Sequence, residues 1–227
     1  MTPDEVPPGS PPGAAPDAPI DLPGWFTEFL VSVEDLSAAD LVRLTPPAGA
    51  RLRQGAVLIL FGEGADGPDI LLTERAADMR SHAGQPAFPG GSIDPTDEGP
   101  VGAALREAME ETGLDPTGVH VARTLPEIYL PPSGFSVTPV LGYWVRPVPV
   151  RAGDPREVAK AERVPVRDLV DPAHRVTVVH PSGYRGPGFE VAGMLVWGFT
   201  ALLLDRLLEI SGWAVPWAPG REAEVPW

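Results

Sequence analysis

The residues best able to do chemistry in this chain are Arg106-Glu107-Ala108-Met109-Glu110-Glu111. On a helix, Glu107, Glu110 and Glu111 fall at positions i, i+3 and i+4, so their carboxylates converge. Three like charges this close repel by roughly a few tenths of a kcal/mol per pair. A hard divalent cation turns that repulsion into coordination. Mg²⁺ takes carboxylate oxygens, keeps several waters and bridges to substrate phosphates. The chemistry this allows is metal-assisted attack of water on a phosphorus centre. The bland alternative is an acidic face turned to solvent, the ordinary role of such a stretch.

A helix must carry these groups, and the pattern predicts one from about 100 to 112. Val101, Leu105, Ala108 and Thr112 share an apolar face, at i, i+4, i+7 and i+11. Pro100 suits the first turn, and Gly113 suits a left-handed stop. Gly90 and Gly91 precede the helix by a short loop, with Asp94, Asp97 and Glu98 near its start. Upstream, 56–61 reads as a buried strand, 62–67 as a glycine-rich turn and 69–73 as its hairpin partner. Residues 76–91 read as loop. Further strands are expected at 118–128 and 136–147, a short helix at 166–170 and β-structure at 174–180. A short helix at 25–33 opens the ordered part, and an apolar one at 191–210 closes it, as core or as a homodimer surface. Strands with helices between and after them predict an α/β class, an α/β/α sandwich on a mixed sheet. The ordered domain is expected over 24–213, between a disordered proline-rich tail at 1–23 and a second tail at 214–227 with two exposed tryptophans.

Bulk properties exclude several classes. The chain has 227 residues, 30 prolines, no cysteine and a net charge of −14. No disulfide or thiolate metal site can form. Such acidity opposes binding to a nucleic-acid backbone, which needs clustered basic residues. It does not oppose a small phosphorylated substrate, because bound cations and a few arginines reverse the field locally. The N-terminus lacks the basic stretch and apolar core of a signal peptide. The longest apolar run, 191–204, is interrupted by Gly193, Gly198 and Thr200 and is shorter than a bilayer span. No membrane partner and a cytoplasmic location are expected.

Gly91 and Arg106-Glu107-Ala108-Met109-Glu110-Glu111-Thr112-Gly113-Leu114 together resemble the Nudix box. Two features depart from its general pattern. Ala108 stands where a bulky aliphatic residue is usual, and the stretch from Gly91 to Arg106 is one residue longer. Either Asp97 or Glu98 therefore stands in for the box's first glutamate. The segment from Leu71-Leu72-Thr73 through Arg75, Ala76, Arg80 and Gly84 to Phe88-Pro89-Gly90-Gly91 resembles the signature of one Nudix branch, the coenzyme A pyrophosphatases. The longer loop is similar to that branch, as are Ser133-Gly134-Phe135, Thr138-Pro139-Val140 and Trp197 to Ala201.

The resemblance implies a Nudix-type sandwich that hydrolyses the diphosphate of coenzyme A, or of its acyl or oxidised forms, with Mg²⁺ or Mn²⁺. The products would be a 4′-phosphopantetheine species and adenosine 3′,5′-bisphosphate. Glu107 and Glu111 are the first metal ligands expected, with Glu110 third, and one of them or a loop carboxylate would act as general base. Arg106 would orient a glutamate. Arg75 and Arg80 would take the substrate's additional phosphate, since guanidinium groups bind phosphate through a fork. Gly84, Phe88, Gly90 and Gly91 complete the substrate-binding set, with Phe88 equally readable as core. His82 reads as a loop residue, and His120, His174 and His180 show no metal-ligand spacing. Ser133 lacks a nucleophile elbow. The rival readings are a Nudix hydrolase of NADH, ADP-ribose or an oxidised nucleotide, and a binding module of the same fold without turnover.

Overall fold

The computed structural model describes residues 20–42, 44–47, 49–77, 83–131 and 133–225. The tail expected over 1–23 lies almost wholly outside them, as do Arg80, His82 and Trp227. Helices α1 (Gly24–Ser32) and α2 (Ala38–Leu41) lead into strands β1 (Arg53–Gly64), β2 (Gly67–Arg75), β3 (Pro86–Ala87) and β4 (Gly90–Ser92). Helix α3 (Gly99–Thr112) follows, then β5 (Val119–Thr124), β6 (Ile128–Leu130), β7 (Phe135–Trp144) and β8 (Val158–Pro165). The chain continues through α4 (Val166–Val170), β9 (Arg175–Val179), β10 (Arg185–Val191), β11 (Met194–Val196), α5 (Gly198–Ile210) and β12 (Glu222–Glu224). Among the described residues no helix is long and apolar enough to cross a membrane.

Strand β1 is the axis of an eight-stranded mixed sheet. It pairs in parallel with β7, Leu58 opposite Val140, and antiparallel with β2 and β4. Successive β1 side chains serve opposite faces, as strand geometry requires. Ala56, Leu58 and Leu60 share a core with Ala103, Ala104 and Ala108 of α3. Ile59 and Phe61 share another with Phe26 and Phe29 of α1 and with Leu203, Leu204 and Leu207 of α5. Helices thus cover both faces of a mixed sheet, the expected α/β architecture. The small residues on α3 let it lie close to the sheet, which gives Ala108 a packing reason for its size.

Hairpin β1–β2 closes at Gly67, whose φ of 95° only glycine adopts readily. The two strands then part, and β4 pairs with β1 while β3 pairs with β2. The expected loop over 76–91 therefore contains two short strands at its end.

A second sheet, in the order β11-β10-β9-β12, corrects the reading of the C-terminal third. The expected helix at 191–210 begins only at Gly198. Ahead of it, Val191 pairs with Met194 across Ala192 (φ 50°) and Gly193 (φ 70°), a two-residue hairpin turn with both φ positive. Hydropathy alone runs straight through this turn. The apolar side of α5 is core, with Leu203, Leu204, Leu207 and Leu208 all buried. The stretch from 214, read as a tail, adds β12 to β9 in parallel and lays Trp217 over Arg175, 4.7 Å from Cζ to ring centroid. Trp217 is half-buried, not exposed.

Candidate active site

Helix α3 begins with Pro100 in its first turn and stops at Gly113, φ 69°. Its burial differs from the expected wheel: Val101 and Leu105 are only half-buried, and Ala103 and Ala104 lie innermost. Alongside Ala103, Ala104, Ala108 and Thr112, the buried stripe includes Glu111, only 9% exposed. A carboxylate is costly there unless something partners it. Its Oε2 accepts a hydrogen bond from the Gly90 backbone N–H at 3.2 Å. Burial, with help from the charges of Glu107 and Glu157, pushes Glu111 up to about 7, against the opposing pull of Gly90 and Arg75.

Glu107 sits one turn earlier, with its carboxylate against Gly91. A Cβ on Gly91 would stand 2.4 Å from Glu107 Oε1, so any side chain there would push the carboxylate aside. Gly90 is constrained more strictly, since a Cβ there would lie 2.3 Å from the Ala56 carbonyl oxygen of the backbone. The two glycines thus let β4 pass between β1 and the carboxylates without a side chain intervening. Burial also raises Glu107, against the pull of Arg106.

Arg106 organises the rim. Its Nε and Nη2 donate to the two Asp97 oxygens at 2.9 and 3.0 Å, a bidentate fork. Nη1 reaches Glu107 Oε1 at 3.0 Å and Glu110 Oε2 at 3.5 Å, and Nη2 also reaches the Ser92 carbonyl at 3.1 Å. Asp97 is consequently held below the usual carboxylate range, first by Arg106 and then by the Asp94 N–H. Glu98, the other candidate for the box's first glutamate, is exposed and makes no capping bond. Asp97 is the one that meets Arg106.

The three expected carboxylates do not all converge. Glu107 and Glu111 point to the Gly90–Gly91 strand, whereas Glu110 is exposed and drawn aside toward Arg106. Arg75, at the end of β2, lies near enough to pull on Glu111. Gly84 has φ 65° and donates its N–H to the Arg75 carbonyl at 3.2 Å. Phe88 is a correction: only 2% exposed, it belongs to the core with Phe61 and Leu125, and has no surface to offer a substrate. Arg80 lies outside the described residues.

Glu157 was not found from the sequence. The loop before β8 folds onto the end of α3, where Arg151 N–H donates to Thr112 and Gly153 N–H to Glu111, at 3.0 and 2.9 Å. These bonds satisfy carbonyls that a helix end otherwise leaves open. Ala76 N–H donates to the Glu157 carbonyl at 2.9 Å. Glu157 is exposed, yet its charge reaches Glu111. Only the tertiary fold brings it there; a lone glutamate in Asp154-Pro155-Arg156-Glu157 carries no local signature.

The donor set suits a hard cation. Glu107 and Glu111 supply carboxylate oxygens on successive turns, both raised toward protonation by burial, with Glu157 nearby. Among the described residues no three His, Cys, Asp or Glu side chains are already gathered into a cage. Two carboxylates are enough to hold a divalent ion whose remaining ligands are waters and substrate oxygens.

Comparison with known proteins agrees with this geometry. Residues 51–182 match the family model described as the NUDIX domain. A protein of Cronobacter sakazakii described as an uncharacterized Nudix hydrolase, NudL, is 39% identical over 162 residues, covering 68% of this chain and 81% of its own. Its counterpart in Salmonella paratyphi B is 40% identical over the same spans. Among solved structures, the Nudix hydrolase RenU of M. smegmatis is similar in fold at 23% identity and a TM-score of 0.51, covering 70% of this chain and 86% of its own.

Proposed function

The chain belongs to the Nudix family, and on that premise we propose that it hydrolyses the diphosphate of coenzyme A, or of an acyl or oxidised derivative. The observation that carries this reading is the pairing of two features at one place. The Gly91–Glu107–Glu111 constellation lies at the end of the segment 71–91 that resembles the coenzyme A pyrophosphatase signature.

Glu107 and Glu111 are the residues that would hold Mg²⁺ or Mn²⁺, with Glu110 held off by Arg106. A divalent ion there supplies charge neutralisation of the diphosphate and a more acidic bound water. Arg106, clamped on Asp97, fixes Glu107 against Gly91. Arg75 meets a phosphate oxygen beside Glu111. Glu157, exposed on the facing loop, takes the proton from the attacking water. The bare backbone of Gly90 and Gly91 lets the diphosphate approach β4 closely. The partner is a small molecule.

The test is a panel of coenzyme A, dephospho-coenzyme A, NADH, ADP-ribose and oxidised dGTP incubated with the protein and Mg²⁺ or Mn²⁺. Release of adenosine 3′,5′-bisphosphate from coenzyme A, faster than cleavage of the others, is expected. Faster metal-dependent cleavage of another member would keep the Nudix chemistry and reject coenzyme A as substrate.

A further inference from the structure

Glu157 is exposed, and an exposed loop glutamate ordinarily moves among many rotamers. Its backbone, however, is bonded on both sides. Its N–H donates to the Asp154 carbonyl at 2.9 Å, and its own carbonyl accepts the Ala76 N–H at 2.9 Å. The next residue, Val158, is 2% exposed and lies opposite Arg75 in the β2–β8 ladder. Its N–H donates to the same Asp154 carbonyl at 2.9 Å. The order Asp154-Pro155-Arg156-Glu157 accounts for this arrangement. Aspartate and proline suit the first two positions of a β-turn, whose first carbonyl accepts the fourth N–H.

Asp154 closes the turn with its side chain as well. Oδ1 accepts the Arg156 backbone N–H at 2.9 Å, and both carboxylate oxygens accept from Arg156 Nε at 3.0 Å. An ion pair this exposed adds little stability. The side-chain acceptor for the N–H two residues on is what fixes the shape of the turn. Arg156 holds the Asp154 carboxyl at about 2, by its side chain first and then by its N–H. The acceptor therefore stays ionised wherever turnover would be measured. Just upstream, Gly153 N–H is fastened to the Glu111 carbonyl. One short turn thus connects the end of α3, at Glu111, with the strand position that faces Arg75.

We propose that Asp154 is a positioning residue, which through the turn 154–157 sets where Glu157 meets the attacking water. The proposal rests on the functional reading above for the role of Glu157. It gives an exposed glutamate the fixed approach that proton transfer needs, by bonding its backbone instead of burying its side chain.

Variants at Asp154 and Glu157 test this, with turnover measured on whichever diphosphate of the panel is cut fastest. Asp154→Ala should lower kcat by about tenfold to a hundredfold, the cost of misplacing a catalytic group by about 1 Å. KM and Mn²⁺ affinity should stay as in the wild type. Asp154→Asn keeps the Oδ1 acceptor and should retain kcat to within about threefold. Adding Asp154→Ala to Glu157→Gln should cost nothing further, because the two residues act as a unit. Independently of turnover, the Glu157 amide should exchange hydrogen at least about tenfold faster in Asp154→Ala than in the wild type or Asp154→Asn. Full turnover in Asp154→Ala, a further loss on adding it to Glu157→Gln, weakened Mn²⁺ binding or unchanged exchange at Glu157 overturns the proposal. So does loss of the fold by circular dichroism, which would make the turn a folding element. Glu157→Gln alone separates this proposal from the reading beneath it. Full turnover there refutes Glu157 as the base, whereas a loss there with full turnover in Asp154→Ala refutes only the positioning role.

Discussion

Two regions of this acidic protein bury charge, and they do so in opposite ways. In the second sheet, Arg175 is almost wholly buried, paired with Asp205 and flanked by the rings of Phe189 and Trp217. Its cation is answered from within the chain, by a carboxylate and two aromatic faces. On α3, burial raises Glu107 and Glu111, whose cationic neighbours are Arg106, already forked on Asp97, and Arg75. The first cluster balances its charge, though Arg175 Nε is buried without a hydrogen-bond partner, and it ties α5, the second sheet and the C-terminal stretch together. The second has an excess of negative charge, and an external cation would satisfy it. Buried charge marks a functional site here only where the chain leaves it unbalanced.

The sharpest way to separate the regions is by what each loses on mutation. Glu107→Gln or Glu111→Gln should lower turnover by about a thousandfold, the several kcal/mol that a metal centre supplies. Neither should unfold the protein, as judged by circular dichroism. Full activity in either variant would remove α3 from the chemistry. Arg175→Met should do the reverse. A fall in stability of about 3 kcal/mol is expected in urea unfolding, since Asp205 is left without its partner. Turnover per folded molecule should hold, and a selective loss of turnover with unchanged stability would break the contrast.

The pH dependence distinguishes them next. Glu111, raised to about 7 from the ordinary 4.5 of a glutamate, binds a proton more tightly when folded than when unfolded. The metal-free protein should therefore lose stability as pH rises through that interval, and Glu111→Gln should flatten the slope. Mg²⁺ should restore stability at pH 8, measured as a rise in Tm. Asp97 is held low and adds stability above its unfolded pKa that is lost only at more acidic pH. A wild-type slope identical to that of Glu111→Gln between pH 5 and 8 would contradict the assignment. The smallest effect expected is at the box's first acidic position. Asp97→Asn should cost about tenfold in kcat by loosening Arg106, and Glu98→Gln should cost less than twofold. Equal losses would leave the choice between them open.

Much of the fold was legible because its elements repeat a period. The unbroken apolar run through 56–61 and the helical spacing of 101–112 reappear as β1 and α3. Where tertiary pairing set the structure, the sequence was mute. Strand β8 (Val158–Pro165) carries Lys160, Glu162 and Arg163, reads as polar, and is ordered by its ladder to β2. Ala192-Gly193 turns a continuous apolar run into a hairpin before α5. The site divides the same way. Glu107, Glu111, Gly90 and Gly91 follow from spacing, because one helix and one strand carry them. Phe88 turned inward because the β3–β4 passage crosses the core. Glu157 reaches Glu111 only through the loop that Gly153 allows, since a Cβ on Gly153 would overlap the Glu110 carbonyl.

The central claim is that the α3 carboxylates are short of positive charge and hold a divalent ion. Titration of the protein with Mn²⁺, followed by the electron paramagnetic resonance signal of the free ion, tests it directly. Wild-type protein and Arg175→Met should bind Mn²⁺ alike, while Glu111→Gln should bind it at least tenfold more weakly. Equal binding by wild type and Glu111→Gln would place the metal elsewhere and contradict the account.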